Sequence, residues 1–243
     1  MLSAQSSPLT LPLDVWFLVF DELSPQDFTS DLDILHNTLY SCALTCQSWL
    51  PRTRILLYGE VFLDREEACN LLSRTLKESP DLGALVRKIN LQIRLYGGGL
   101  VCIGIPARSP PSFPLDVVEQ LINLSELSVR SWGKEMLLSS KLVSSIQSFA
   151  PCRTLSQLNL DSIKFPSMRR FLRGIRSFPQ VSTLRLENCA WIENDLEYAE
   201  RRAYTKKYCK NLVNIIVRNV VFFLHACSDI VAQSLSRMVT RWE

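Results

Sequence analysis

The stretch Leu155-Ser156-Gln157-Leu158-Asn159-Leu160 places apolar residues at its first, fourth and sixth positions. This spacing occurs five times after residue 80, as Val86-x-x-Ile89-x-Leu91, Leu124-x-x-Leu127-x-Val129, Leu155-x-x-Leu158-x-Leu160, Val181-x-x-Leu184-x-Leu186 and Leu212-x-x-Ile215-x-Val217. The central apolar residues are 38, 31, 26 and 31 positions apart. Such a period is typical of structural repeats that stack on one another, each built from one strand and one helix.

Helical candidates lie between these strands, at 66–77, 115–121, 165–178 and 196–207. The first interval is longer because it contains a Gly/Pro-rich stretch at 97–114, which predicts a loop. One further strand is predicted at Val61-Phe62-Leu63. Residues 61–243 are therefore predicted to form an α/β domain of parallel strands alternating with helices, in which neighbouring repeats share one core.

The repeated pattern resembles the leucine-rich repeat, in an irregular form. This resemblance implies a solenoid in which the residues that alternate with the apolar ones lie on the concave side. These positions are mixed polar and charged, and we predict a target-binding surface that includes Glu126, Arg130, Asn159, Asp161, Arg185, Glu187 and Arg218. A solvated face without a partner would have the same composition, so the pattern leaves both interpretations open.

The N-terminal stretch Leu11-Pro12-Leu13-Asp14-Val15 predicts the start of a helix. Proline suits the first helical position because its φ angle is fixed close to the helical value, and the acidic residue suits the positive end of the helix dipole. Most positions around this helix are apolar. Most of its surface must therefore be buried, either by a partner or by the downstream domain. A second helix is predicted from about residue 31 to Trp49 and is expected to stop at Pro51. A short third helix is predicted at 52–58.

This N-terminal region resembles the F-box, a helical docking module, through Leu11, Pro12, Asp14, Leu23, Cys46 and Trp49. It is most similar to the F-box proteins of mushroom-forming fungi, where such a module precedes divergent leucine-rich repeats. The resemblance covers about residues 9–63, and the F-box-like helical module itself is predicted at 9–60. It implies docking on a Skp-type adaptor of a cullin ubiquitin ligase, with adaptor contacts or their immediate support at Leu11, Pro12, Val15, Leu18, Leu23 and Trp49.

Composition excludes several other classes of function. The chain has 243 residues, of which 47% are hydrophobic and 21% charged, as in ordinary globular proteins. A net charge of +3 is too small to predict binding to nucleic acid or to an acidic membrane surface. The most apolar segment, 212–232, contains Arg218 and Asp229, so we predict a buried core segment there and no membrane span.

The sequence contains no motif that predicts a catalytic or metal-binding site. The eight cysteines form no Cys-x-x-Cys pair, and His36 and His225 lie far apart in the sequence. No Gly-x-Ser-x-Gly motif occurs, and the acidic residues are scattered. We therefore expect no enzyme activity, no metal and no cofactor. Scattered free thiols favour a reducing compartment, which is the cytoplasm or the nucleus.

Two hypotheses follow for the function. The first is a non-catalytic substrate receptor of a cullin-type ubiquitin ligase, which binds the adaptor through its N-terminal helices and an unidentified target protein through its repeats. The second is a leucine-rich-repeat interaction scaffold without a ligase role, whose first helices cap the repeats. The scaffold hypothesis expects Trp16 and Leu18 to pack inside the protein, whereas the receptor hypothesis expects an exposed apolar face.

Overall fold

The structure is a computed structural model that describes residues 12–23, 32–94, 114–132, 136–137, 140–193, 211–219 and 221–222. The chain divides into two compact units, Met1–Gly59 and Glu60–Glu243. The first unit is helical, and the second combines parallel sheets with helices. The predicted α/β class is therefore confirmed. The predicted loop at 97–114 lies outside the described residues except for Pro114.

The helical unit contains three helices, α1 (Leu13–Glu22), α2 (Leu32–Thr45) and α3 (Leu50–Gly59), among the residues described before position 60. Pro12 caps α1 and is not its first helical residue. The expectation that Pro51 stops the second helix is wrong, because α2 ends at Thr45 and Pro51 is the second residue of α3. Proline fits there because the N–H groups of a first helical turn have no partner within the helix.

Within its described residues, the second unit contains two parallel sheets. The six-stranded sheet has the order β1-β2-β3-β5-β7-β9, with strands β1 (Glu60–Leu63), β2 (Lys88–Arg94), β3 (Glu126–Trp132), β5 (Gln157–Asp161), β7 (Thr183–Glu187) and β9 (Asn214–Arg218). The four-stranded sheet has the order β10-β8-β6-β4, with strands β4 (Met136–Leu137), β6 (Ile163–Ser167), β8 (Ala190–Glu193) and β10 (Val221–Phe222).

Helices of different lengths connect the strands: α4 (Glu66–Glu78), a 3-10 helix (Pro80–Leu85), α5 (Leu115–Val118), α6 (Ser140–Gln147) and α7 (Met168–Ile175). The helix predicted at 66–77 is confirmed, and the one at 115–121 is shorter than predicted. The prediction at 165–178 is wrong at its start, because β6 continues to Ser167 and α7 begins only at Met168. The candidate at 196–207 lies outside the described residues. No described helix has both the length and the apolar character that a membrane span requires.

The strand register matches the repeat pattern of the sequence. The central apolar residues lie opposite one another in neighbouring strands, in the series Ile89, Leu127, Leu158, Leu184 and Ile215. The first four are buried, while Ile215 in the last strand is half-buried. Side chains alternate between the two faces of a strand, so this register places all of them on the core face of the sheet. Val213 and Ile216 are exposed, so the predicted burial of the 212–232 segment is wrong at these residues.

The two sheets are linked by three turns of the same geometry. Ser162, Asn188 and Asn219 each follow a strand of the six-stranded sheet and have positive φ angles of 59°, 50° and 50°. Asparagine tolerates this left-handed conformation better than most residues. Each turn redirects the chain into a strand of the second sheet. There Phe165 and Trp191 stack with ring centroids 5.1 Å apart in the core.

Candidate functional site

The first helix has one buried aromatic face. The ring of Trp16 lies 4.6 Å from that of Trp49 and 6.4 Å from that of Phe20, measured between centroids. The rings of Phe20 and Trp49 are 5.3 Å apart and meet edge to face. Such pairs contribute about 0.5–1.5 kcal/mol each beyond the burial of their area. These three rings, the aromatic cluster, fix α1 on the turn before α3.

An ion pair adds a second connection between the same helices. Arg52 Nε on α3 donates a hydrogen bond of 2.9 Å to Asp21 Oδ1 near the end of α1, and its Nη2 contacts both carboxylate oxygens. Both side chains are partly exposed, and exposed pairs stabilise proteins by about 1 kcal/mol or less. The pair therefore serves mainly to orient α1.

The outer face of α1 is apolar and exposed. Eight of the thirteen exposed large apolar side chains in the described chain belong to the helical unit, namely Leu13, Val15, Leu18, Val19, Ile34, Tyr40, Leu44 and Ile55. Four of them lie on α1, where Leu18 exposes 67% of its surface. Clustered exposed apolar side chains usually mark a surface that binds another protein. Val15, Leu18 and Val19 lie within about 100° of one another around the helix axis, whereas Leu13 lies on the side of Trp16 and Phe20. We name Val15, Leu18 and Val19 the apolar α1 face.

The predicted adaptor residues fall into three groups. Leu11 lies outside the described residues. Pro12, Val15 and Leu18 are exposed at the start and along the outer face of α1. Leu23 is half-buried at the end of α1, and Trp49 is half-buried within the aromatic cluster. The geometry thus separates residues that a partner could contact from Trp49, which supports α1 from beneath.

The second candidate surface is the face of the six-stranded sheet opposite its apolar core face. We name it the polar sheet face. It carries all seven residues predicted to bind a target: Glu126, Arg130, Asn159, Asp161, Arg185, Glu187 and Arg218. The first six are half-buried, and Arg218 on β9 is exposed. They come together because residues at alternate positions of parallel strands in register share one face.

Charged groups on this face are paired across strands. Lys88 Nζ lies 3.0 Å from Glu60 Oε1 and 3.4 Å from Glu126 Oε1. Burial lowers the pKa of Lys88, but the hydrogen bonds and negative charges of Glu60 and Glu126 outweigh it, so the pKa is raised overall. Asn159 donates a hydrogen bond of 2.7 Å to Glu126 Oε1. One carboxylate therefore receives donors from both neighbouring strands.

A second network surrounds Asp161. Arg130 Nε donates to Asp161 Oδ2 at 2.6 Å. The other carboxylate oxygen accepts hydrogen bonds from Asn188 at 2.9 Å and from Ser162 at 3.0 Å. Two of the residues that build the turns between the sheets thus also hold Asp161 in place. Neither Ser162 nor Asn188 belongs to the site residues predicted from the sequence.

Lys88 and Glu60 were also missed. Lys88 occupies the same pattern position in the first repeat as Glu126 does in the second, so the repeat alignment could have found it. Glu60 precedes the first recognised repeat, and its position opposite Lys88 becomes evident only from the pairing of β1 with β2.

The cysteines of the described chain are free thiols, and they fall into two kinds. Burial raises the pKa to about 12 for Cys69, about 11 for Cys152 and about 12 for Cys189, so these thiols stay protonated at neutral pH. The Cys46 thiol lies 2.9 Å from the Ser48 hydroxyl, and this hydrogen bond lowers its pKa. The described residues contain no group of three or more His, Cys, Asp or Glu side chains that could hold a metal ion.

No protein-family model matches the chain, and a comparison with curated proteins finds none that is similar. Function is therefore inferred from the sequence pattern and from the two surfaces, the apolar α1 face and the polar sheet face. Both are suited to binding proteins, because the first is apolar and exposed and the second presents ordered polar groups on a rigid sheet.

Proposed function

We propose that this protein is a non-catalytic substrate receptor of a cullin-type ubiquitin ligase. In this proposal the helical unit is an F-box-like module that docks on a Skp-type adaptor. The second unit is an irregular leucine-rich-repeat solenoid that binds a target protein on its polar sheet face. The proposal rests on the F-box-like residue order in the sequence together with the geometry of α1.

The apolar α1 face is the observation that carries this proposal. The scaffold alternative expects Leu18 to pack internally, but among the large apolar side chains of α1 it is the most exposed. Trp16, in contrast, contacts Trp49 in a tilted ring pair and is only half-exposed, so it belongs to the support of the helix. An exposed Leu–Val surface held by an aromatic cluster with Phe20 buried at its centre is what a preorganised docking helix requires, because little conformational entropy is lost on binding.

The regular strand register supports the solenoid part of the proposal. Each successive strand of the six-stranded sheet adds one apolar residue to a continuous internal row, as stacked repeats do. The receptor itself supplies no chemistry. It raises the effective concentration of a target lysine near a catalyst that other subunits carry.

Binding to a purified Skp-type adaptor tests the proposal, with Leu18→Asp as the disrupting variant and Leu71→Asp as its control. Both leucines lie in the middle of a helix and are mostly exposed, Leu18 at 67% and Leu71 on α4 at 54%. The two substitutions therefore have similar costs in helix propensity and differ in the surface that they alter. We expect Leu18→Asp to abolish adaptor binding and Leu71→Asp to leave it unchanged, at equal melting temperature.

Other outcomes would overturn the assignment. A folded wild-type chain that does not bind the adaptor would leave the repeat scaffold as the better description. Unfolding of Leu18→Asp, with Leu71→Asp still folded, would show that Leu18 packs internally. Either result would remove the docking role of the apolar α1 face.

A further inference from the structure

Two arginines share one carboxylate on the polar sheet face. Arg185 Nε lies 3.2 Å from Glu187 Oε1, and Arg218 Nη1 donates a hydrogen bond of 3.4 Å to the same oxygen. Arg185 and Glu187 belong to β7, and Arg218 belongs to β9. We name these three residues the arginine cluster. Its two positive charges face a single negative charge.

The carboxylate of Asp161, on the neighbouring strand β5, does not neutralise the second positive charge of the arginine cluster. Arg130, Asp161, Glu187 and Arg218 form one row across four strands, and this row is neutral by itself. Asp161 is held by Arg130 at 2.6 Å and by two uncharged donors. Arg185 is therefore the surplus positive charge of this part of the face.

Arg185 also retains unused hydrogen-bonding capacity. Its Nε is buried and donates no hydrogen bond to any described residue, because the N–H is poorly aligned with the nearby carboxylate. Arg218 keeps 62% of its side chain exposed, so its guanidinium is accessible. Ile216 lies directly opposite Arg185 on β9 and is also exposed. The guanidinium of Arg218 and the partly exposed side chain of Arg185 thus adjoin an exposed apolar side chain.

We propose that the arginine cluster binds an anionic side chain of the target protein, and that Ile216 contacts an apolar residue next to it. This inference rests on the proposed function, because it assigns target binding to the polar sheet face. The guanidinium group presents paired donors that match the two oxygens of a carboxylate or phosphate. Glutamate, aspartate or a phosphorylated residue would each supply this chemistry.

Fluorescent ten-residue peptides test the inference. They share one leucine and differ only at the next position, which is glutamate, phosphoserine, glutamine or lysine. We expect the full-length chain to bind the glutamate or the phosphoserine peptide at least tenfold more tightly than the glutamine peptide. Which of the two binds better identifies the source of the anion. Added salt should weaken this binding because the contact is electrostatic.

Arg185→Gln should reduce binding of the preferred anionic peptide at least tenfold. Arg153→Gln is the matched control, since it removes one positive charge from an exposed turn before β5 and should leave binding unchanged. Equal binding by wild type and Arg185→Gln would overturn the inference, and so would preference for the lysine peptide or binding to none of the four.

Adaptor binding by the same variants separates this inference from the proposed function. Arg185→Gln should bind a Skp-type adaptor as well as wild type does. Loss of anionic peptide binding with adaptor binding intact supports both proposals. Peptide binding without adaptor binding refutes only the ligase role, and adaptor binding without any peptide binding refutes only the anion site.

Discussion

Replacement of Leu158 by alanine tests the register on which the whole second unit depends. Leu158 is 1% exposed and lies between Leu127 and Leu184 of the neighbouring strands. Three buried carbon groups are lost, which removes about 2.4 kcal/mol of transfer free energy at about 0.8 kcal/mol per group. The cavity left behind adds to this cost, and we expect a total of about 3–4 kcal/mol, within the usual range for Leu→Ala.

Gln157→Ala is the matched control for this prediction. Gln157 is the preceding residue, lies on the opposite face and donates one hydrogen bond, of 3.1 Å, to Asn159. We expect its loss to cost about 1 kcal/mol or less. Denaturant unfolding of the full chain, followed by circular dichroism, measures both variants. A larger effect of Gln157→Ala than of Leu158→Ala would refute the register, because a shift of one residue exchanges the two faces.

Four further predictions follow from other parts of the structure. Gly83→Ala should lower the free energy of unfolding by about 1–3 kcal/mol, because the added Cβ would lie 2.5 Å from the backbone oxygen of Gln120. Gly174→Ala in α7 has open space and should stabilise by about 0.5–1 kcal/mol in the same denaturation assay. Cys46 should react faster with iodoacetamide at pH 7.5 than Cys69, Cys152 and Cys189 in a mass-spectrometric time course, because its lowered pKa increases the thiolate fraction. The three buried thiols should react only on unfolding. The pKa of Lys88 is raised in the folded state, so its stabilising contribution is complete below the unfolded pKa of about 10.4 and is lost as the pH rises through the folded value. The stability difference between wild type and Lys88→Met should therefore be constant from pH 7 to pH 9 and shrink above about pH 10.5.

Four inner strands of the six-stranded sheet, β2, β3, β5 and β7, could be predicted from sequence because each contributes buried apolar residues at fixed spacing. The Leu155–Leu160 pattern, for example, overlaps β5 and places Leu158 and Leu160 in the core. A fixed spacing of this kind arises directly from the alternation of side chains along a strand.

The second sheet could not be predicted in the same way. Its strands are short, and the turns that lead into them contain Ser162, Asn188 and Asn219 where a glycine would have been the usual signal. Phe165 stands at the start of the helix predicted at 165–178, between two repeats. The tertiary core decides otherwise, since Phe165 stacks on Trp191 from a strand.

The candidate surfaces were predictable to different degrees. The composition of α1 indicated an apolar surface that either a partner or the downstream domain must cover, but only the structure shows that Trp49 packs against Trp16 and Phe20 while Leu18 is exposed. The face on which Arg185 and Glu187 lie followed from alternation. Their pairing, and the surplus charge of Arg185, depend on which residues of adjacent strands meet, and no single strand contains that information.

The mass of the complex that the full-length chain forms with a purified Skp-type adaptor and the N-terminal domain of a cullin tests the central claim most directly. Size-exclusion chromatography with light scattering measures this mass. We expect one species that contains the three proteins in equal numbers, and we expect Leu18→Asp to elute separately from the other two. A folded wild-type chain that elutes alone at micromolar concentration would contradict the assignment as a ligase receptor.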